Sequence, residues 1–287
     1  MKKMSLKFTL ILCFIFSVHA DLSKYSYYPQ SLLELIEDHQ EKKLEALLKQ
    51  ELFHTLNGLH EISSYGPDRI VKRCSKGKSC YSQVRTISYK QARRHLFGDI
   101  YLKKNSFGDY YVTDRYCLKK YDRKAGVGPG KIPSHQKVNC EHTWPQSRFS
   151  KSFSKSLQKS DLHHLFPVNS RANSTRGNII FGEVIGDVVS DECRASYRGV
   201  IDYKNSRSKA FTPPKSHRGN VARSIFYFSI RYQLPITQDE EYYLRRWHRE
   251  DPVDTEEVNA HQKIFKIQNN RNPFIDQPEL VSMISNF

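Results

Sequence analysis

One α+β domain preceded by a helical extension is the fold class this sequence predicts, and three observations carry it. Apolar residues repeat at helical spacing near both ends of the chain, and short aromatic or β-branched runs bounded by Gly and Pro lie between them. Neither an internal repeat nor a long low-complexity linker divides the 287 residues. The expected organisation is a leader over 1–20, a helical extension over 21–56 and a main domain over 57–287.

The leader reads as an export signal. Lys2, Lys3 and Lys7 precede an apolar run from Phe8 to Phe16 that is too short to span a bilayer comfortably, and Val18-His19-Ala20 supplies a cleavage site after Ala20. An uncleaved anchor is the alternative. No later stretch reaches the roughly twenty apolar residues of a membrane helix, so the mature chain is expected to be secreted or periplasmic without a membrane span. In that oxidising compartment Cys74, Cys80, Cys117, Cys140 and Cys193 remain, an odd set. The polar turn between Cys74 and Cys80 suits a short disulfide loop; spacing does not pair the other three.

Next, Leu32 to Leu56 reads as one amphipathic helix, in which Leu44, Leu47, Leu48 and Leu52 repeat at three and four. A second helix is predicted from Ser88 to Phe97, a strand from Tyr110 to Tyr116, and another from Lys137 to Cys140 after the Gly/Pro-rich loop from Gly126 to Pro133. Val221, Ile225, Phe228 and Tyr232 share one helical face, and Glu240 to Trp247 continues the helical region beyond Pro235.

Charge points to a partner. The net charge of +16 falls by only three when Lys2, Lys3 and Lys7 leave with the signal. A chain this basic is biased toward polyanions, because Lys and Arg that neutralise phosphates release condensed counterions. The segment from Arg148 through Lys151 and Lys155 to Lys159 is the expected nucleic-acid track, with the surface around Arg218, Arg223, Arg245 and Arg246 as the alternative.

The chemistry concentrates between Cys140 and Asn178. Glu141-His142 is followed by Asp161-Leu162-His163-His164, and then by Asn173 and Arg176. A histidine that can take a proton, a carboxylate and an amide oxygen that can hold a hard cation, and an arginine that can grip a phosphate together suit a metal-assisted phosphodiesterase. Adjacent strand residues point to opposite faces, so Glu141 and His142 share a site only if the strand ends or twists there. His163 and His164 lack an H-E-x-x-H context, and one of them is expected to pack beneath the site. Cys140 and His142 invite a Cys/His nucleophile reading, disfavoured for an exported thiol exposed to oxidation.

These residues carry a resemblance. Glu141-His142-Thr143-Trp144-Pro145-Gln146-Ser147, Asp161-Leu162-His163-His164-Leu165-Phe166-Pro167, Asn173, Arg176-Gly177-Asn178 and Phe181-Gly182-Glu183-Val184 resemble the endonuclease I family of secreted and periplasmic nucleases. The likeness extends from about Leu56 to Phe274, through Arg245 to Val253 and Ile264 to Phe274. It implies a ββα-metal (His-Me finger) nuclease motif in a mostly helical α+β fold with a small antiparallel sheet. It also implies cleavage of DNA, and often RNA, with little sequence preference and 5′-phosphate products. Carried over, His142 is the general base, Glu141 and Asn173 bind Mg²⁺ (with Mn²⁺ or Ca²⁺ as substitutes), and Arg176 holds the phosphate. Lys159 stands where some members have an acid, and Ser174 follows Asn173 where glycine is common. A monomer is expected. A metal-independent ribonuclease, and a binding protein that kept the fold without the activity, are the competing readings; the latter should have lost His142 or Asn173.

Overall fold

The computed structural model describes residues 22–38, 44–82 and 87–287. The predicted export signal lies outside them. No helix among the described residues is long and apolar enough to cross a membrane.

The chain opens with α1 (Gln30–Glu37) and α2 (Leu44–Asn57), followed by β1 (Leu59–Glu61), β2 (Arg69–Val71) and β3 (Cys80–Tyr81). Then come α3 (Tyr89–His95), β4 (Lys103–Lys104), β5 (Tyr110–Thr113) and β6 (Lys120–Tyr121). The central stretch holds β7 (Val138–His142), α4 (Lys155–Ser160), β8 (Leu165–Asn169), α5 (Ser170–Arg176), β9 (Ile180–Phe181), β10 (Val184–Ser190), β11 (Cys193–Ile201) and β12 (Lys209–Thr212). The rest is helical: α6 (Lys215–Tyr232), α7 (Gln238–Glu250), α8 (Thr255–Gln268), α9 (Pro273–Asp276) and α10 (Leu280–Met283). The fold is α+β, as expected. Among the described residues its strands form four small sheets rather than one, ordered β2-β1-β3, β4-β5-β6, β7-β8 and β10-β11-β12-β9, and the β12–β9 pairing is parallel.

Several expectations shift at their ends for local reasons. The helix expected within Leu32 to Leu56 is two helices, because Asp38 leaves helical geometry after α1. The strand from Tyr110 stops at Thr113, where the Asp114 carboxylate turns the chain by accepting from the backbone N–H groups of Tyr116, Cys117 and Lys119. Ser88 starts α3 through a capping box with Gln91. The helix then passes into a π turn over Leu96–Ile100 rather than ending at Phe97.

Helix α6 is the hub. Val221, Ile225, Phe226, Tyr227, Phe228 and Tyr232 are all buried, with Trp144 stacked on Phe228 at 5.4 Å and Trp247 of α7 in the same core. Packing at this density, more than helix propensity, stabilises such an element. The N-terminal extension belongs to this core as well. Leu32, Leu48, Leu52 and Leu56 are buried in it, and Tyr28 donates its hydroxyl to Asp276 at 2.5 Å. Cys74 pairs with Cys80, the expected short loop, while Cys117 pairs with Cys193 and ties the turn after β5 to β11. Cys140 is free and buried.

Candidate active site

Strands β7 and β8 pair antiparallel with Glu141 opposite Phe166 and His142 opposite Leu165, and β8 runs directly into α5. Asn169 caps α5 by accepting from the N–H of Ala172. Gly177, at φ +59°, ends the helix in a conformation that disfavours a side chain. This ββα unit brings Glu141, His142, Asn173 and Arg176 to the wall of one cavity of about 340 Å³, also lined by Tyr89, Asn139, Cys140, Gln146, Ser147 and Asn178. The strand ends at His142, which is why neighbouring residues of alternating direction reach the same hollow.

His142 is buried and its tautomer follows from its contacts. Its Nε2 lies 3.0 Å from the Lys159 carbonyl oxygen, which can only accept, so Nε2 carries the proton and Nδ1 keeps its lone pair. Nδ1 lies on the side of Gln146, whose amide nitrogen is 3.5 Å away and which also lines the cavity. Burial, reinforced by the neighbouring His164, holds the imidazole pKa well below the ordinary histidine range, so the ring is neutral.

Glu141 is buried too. Its Oε1 accepts from the Tyr116 hydroxyl at 2.9 Å and pairs with Arg176 Nη1 at 2.9 Å. Burial raises its pKa, while Arg176 and Tyr116 act in the opposite direction. The half-buried Asn173 side chain makes no hydrogen bond among the described residues, leaving its amide oxygen available at the cavity. Oxygen donors of this kind suit Mg²⁺, which binds one or two protein ligands and retains several waters.

Arg176 is not placed as expected. Its guanidinium is 1% exposed and donates to the carbonyls of His142 (3.0 Å) and Thr143 (2.5 Å) besides pairing with Glu141. Every strong partner it has is protein, so it fixes the Glu141-His142-Thr143 backbone instead of standing free for a phosphate. Arg148 is likewise engaged, with buried Glu240 at 3.3 Å and against the Trp144 ring. Lys151 and Lys155 are exposed, and half-buried Lys159 lies over the Tyr89 ring at 4.5 Å. The alternative basic surface is largely self-neutralised. Arg218 and Arg246 pair with Glu183, Arg223 with Glu257, and Arg245 with Glu241. The larger hollow of about 680 Å³ lined by Glu183, Arg218 and Arg246 is therefore an ion-pair network.

The two adjacent histidines are structural. His164 donates through Nε2 to the Gln158 carbonyl at 2.8 Å and packs 5.2 Å from the His142 ring, while His163 donates to the Asn270 carbonyl at 3.1 Å. Burial pushes their pKa values down to about 4 and about 3. Cys140 is buried, and burial drives its thiol pKa up to about 12, which disfavours the thiolate that a nucleophile needs. Tyr116 had no signal of its own in the sequence, lying far from the motif. Asp161 did, but its role is a buried knot: Oδ2 accepts from Arg231, Tyr227 and Tyr232 of α6, and Oδ1 from Gln268 of α8.

The family model for endonuclease I matches residues 69–279, from β2 through α9, and includes each of these site residues. The chain belongs to the endonuclease I family. Other relatives of this endonuclease I chain include an extracellular ribonuclease of Bacillus subtilis, 31% identical over 49% of this chain and 51% of the relative. A periplasmic deoxyribonuclease of Aeromonas hydrophila is 29% identical over 50% and 58%. An endonuclease-1 of Buchnera aphidicola is 31% identical over 41% and 44%. The chain thus spans about half the length of the curated relatives it matches. The endonuclease I match leaves α1 and α2 outside it, although both helices share its core.

Proposed function

We propose that the protein is a secreted or periplasmic endonuclease that uses a divalent cation to hydrolyse phosphodiester bonds of DNA, and of RNA, with little sequence preference, leaving 5′-phosphates. The observation that carries this reading is the neutral His142, with Nε2–H tied to a backbone carbonyl and its Nδ1 lone pair beside a cavity that also holds the oxygens of Glu141 and Asn173. The relatives' printed names, ribonuclease, deoxyribonuclease and endonuclease, support both polymers and an exported location.

His142 Nδ1 takes a proton from the water that attacks phosphorus, and the Lys159 carbonyl favours the imidazolium that results. The P–O3′ bond breaks, so the phosphate stays on the 5′ side of the following nucleotide. Glu141 and Asn173 would hold Mg²⁺, or Mn²⁺ or Ca²⁺ in its place, which when bound neutralises charge at the phosphate and departing oxygen. Arg176 and Tyr116 orient the Glu141 carboxylate. Lys151, Lys155 and Lys159 contact backbone phosphates, which position a strand without reading its bases. Purified protein should nick supercoiled plasmid and degrade RNA in Mg²⁺, and do neither in EDTA. EDTA-resistant RNA cleavage would favour the metal-independent ribonuclease, and binding without cleavage of either polymer would sink the enzymatic reading.

A further inference from the structure

Among the cationic side chains around the catalytic cavity, two stand apart. Arg148, Arg176 and Arg231 each face a carboxylate. Lys159 and Arg93 have no acidic partner within ion-pair distance among the described residues, yet both are half-buried and both lie against one aromatic ring. The Lys159 Nζ is 4.5 Å and the Arg93 guanidinium carbon 5.8 Å from the centroid of Tyr89. Tyr89 is itself a wall of the cavity, 5.5 Å from the His142 ring. Cys140 lines the same cavity wall, its thiol donating to the Glu141 carbonyl at 3.8 Å.

The charge balance is one-sided. Among the described residues Glu141 is the one acid lining the cavity, and Arg176 already neutralises it. Arg93 Nε is buried without a hydrogen-bond partner, as are the Nε atoms of Arg115, Arg176 and Arg231, so it is the missing carboxylate that sets Arg93 apart. Two uncompensated cations against one aromatic wall of the cavity, 5.5 Å from the general base, form a receptor for an anion. A nucleic-acid backbone supplies one at every nucleotide.

We infer that Tyr89, Arg93 and Lys159 form a subsite for the phosphate next to the one being cleaved. The inference rests on the nuclease reading above and adds a substrate requirement to it. Lys159 serves twice: its backbone carbonyl holds the base, and its ammonium holds the neighbouring phosphate, so substrate engagement and base orientation meet in one residue. The enzyme should accordingly prefer a bond flanked by a charged phosphate over the same bond flanked by neutral linkages.

Oligothymidylates whose linkages are neutral methylphosphonates, apart from one phosphodiester or two adjacent phosphodiesters, test this alongside the all-phosphodiester parent in Mg²⁺. The wild-type protein should cleave the two-diester strand about tenfold faster per diester than the one-diester strand, the scale of one charge-assisted hydrogen bond. That ratio should fall toward unity in Lys159→Gln and in Arg93→Gln and be kept in Lys159→Arg, whereas Lys76→Gln, on the exposed turn between Cys74 and Cys80, should leave it in place. Thermal unfolding of each variant checks that the fold is kept. A wild-type ratio near unity would overturn the subsite. So would a ratio unchanged in both glutamine variants, or failure to cut either chimera while the parent is cut. Failure to cut the parent would instead count against the nuclease reading.

Discussion

At the scale of single residues the site divides into groups that act and groups that hold. His142 is the acting group; its neutrality at neutral pH follows from burial and the neighbouring His164, while the Lys159 carbonyl fixes its tautomer. His142→Ala is expected to lower the cleavage rate by roughly two or more orders of magnitude, the usual contribution of a general base, while DNA affinity measured by anisotropy stays near wild type. Near-normal turnover in that variant would remove His142 from the mechanism. Asn173 has an uncommitted amide oxygen, so Asn173→Ala should raise the Mg²⁺ concentration for half-maximal cleavage, or abolish activity, without a change in melting temperature beyond that of a half-buried polar substitution. A shifted melting temperature with an unaltered Mg²⁺ requirement would make Asn173 structural. Arg176 illustrates the limit of reading roles from residue type. A motif arginine suggests a phosphate clamp, but this one has 1% exposure and four protein acceptors.

At the scale of elements, acid stability is written into how α6 grips the site. Arg231, Tyr227 and Tyr232 of α6 converge on Asp161, at the start of the turn Leu162–His164. Burial alone would raise the Asp161 pKa, but Arg231 and the neighbouring histidines bring it down to about 2. Burial also pushes His164 to about 4 and His217, on α6, to about 3. In the unfolded chain these histidines bind protons near pH 6.5 and the aspartate near 3.9. Between those values and the folded ones the unfolded state holds more protons, so stability rises with pH there and is lost as pH falls. Urea unfolding should therefore show stability dropping from about pH 6.5 toward pH 4, by on the order of 3 kcal/mol for a single histidine such as His164, with the Asp161 share lost only between about pH 4 and 2. His217→Gln should make the upper part of that decline shallower. A flat profile from pH 7 to 4.5 would contradict the buried-histidine account.

At the scale of the whole molecule, the N-terminal extension and the charge distribution make separate demands. Helices α1 and α2 lie outside the family match, yet Leu32, Leu48, Leu52 and Leu56 are buried and Tyr28 shares Asp276 with Arg271 and His261. Burying each such leucine is worth about 1.5–3 kcal/mol, comparable in sum to a domain's entire margin. A chain starting at residue 58 should therefore be recovered unfolded or with a sharply lowered melting temperature; a cooperatively folded, active fragment would show the extension to be dispensable. Charge acts on substrate instead. Changing Lys151, Lys155 and Lys159 to Gln together should reduce the slope of log cleavage efficiency against log salt by about 0.9 per lysine engaged with duplex DNA. An unchanged slope would place the track on other exposed cations, since Arg218, Arg223, Arg245 and Arg246 are already paired.

Much of this was legible in the chain because it is local. Helical periodicity marked α2, α6 and α7, and the order of Glu141-His142, Asp161, Asn173 and Arg176 carried the resemblance that implied the ββα unit, since periodicity and motif spacing act over a few residues. The short loop between Cys74 and Cys80 was legible for the same reason. What tertiary structure alone decided depends on contacts between distant residues. Tyr116 reaches Glu141 across 25 positions, Cys117 finds Cys193 across 76, and Asp161 meets Arg231 across 70. Packing, likewise a property of the whole fold, turned Arg176 and Arg148 from candidate phosphate ligands into partners of Glu141 and Glu240 and left Lys159 and Arg93 beside Tyr89 with no acidic partner among the described residues. Residue type sets which charges and donors a chain can offer; only packing sets which of them are already satisfied, because desolvation and pairing depend on neighbours that the linear order does not name.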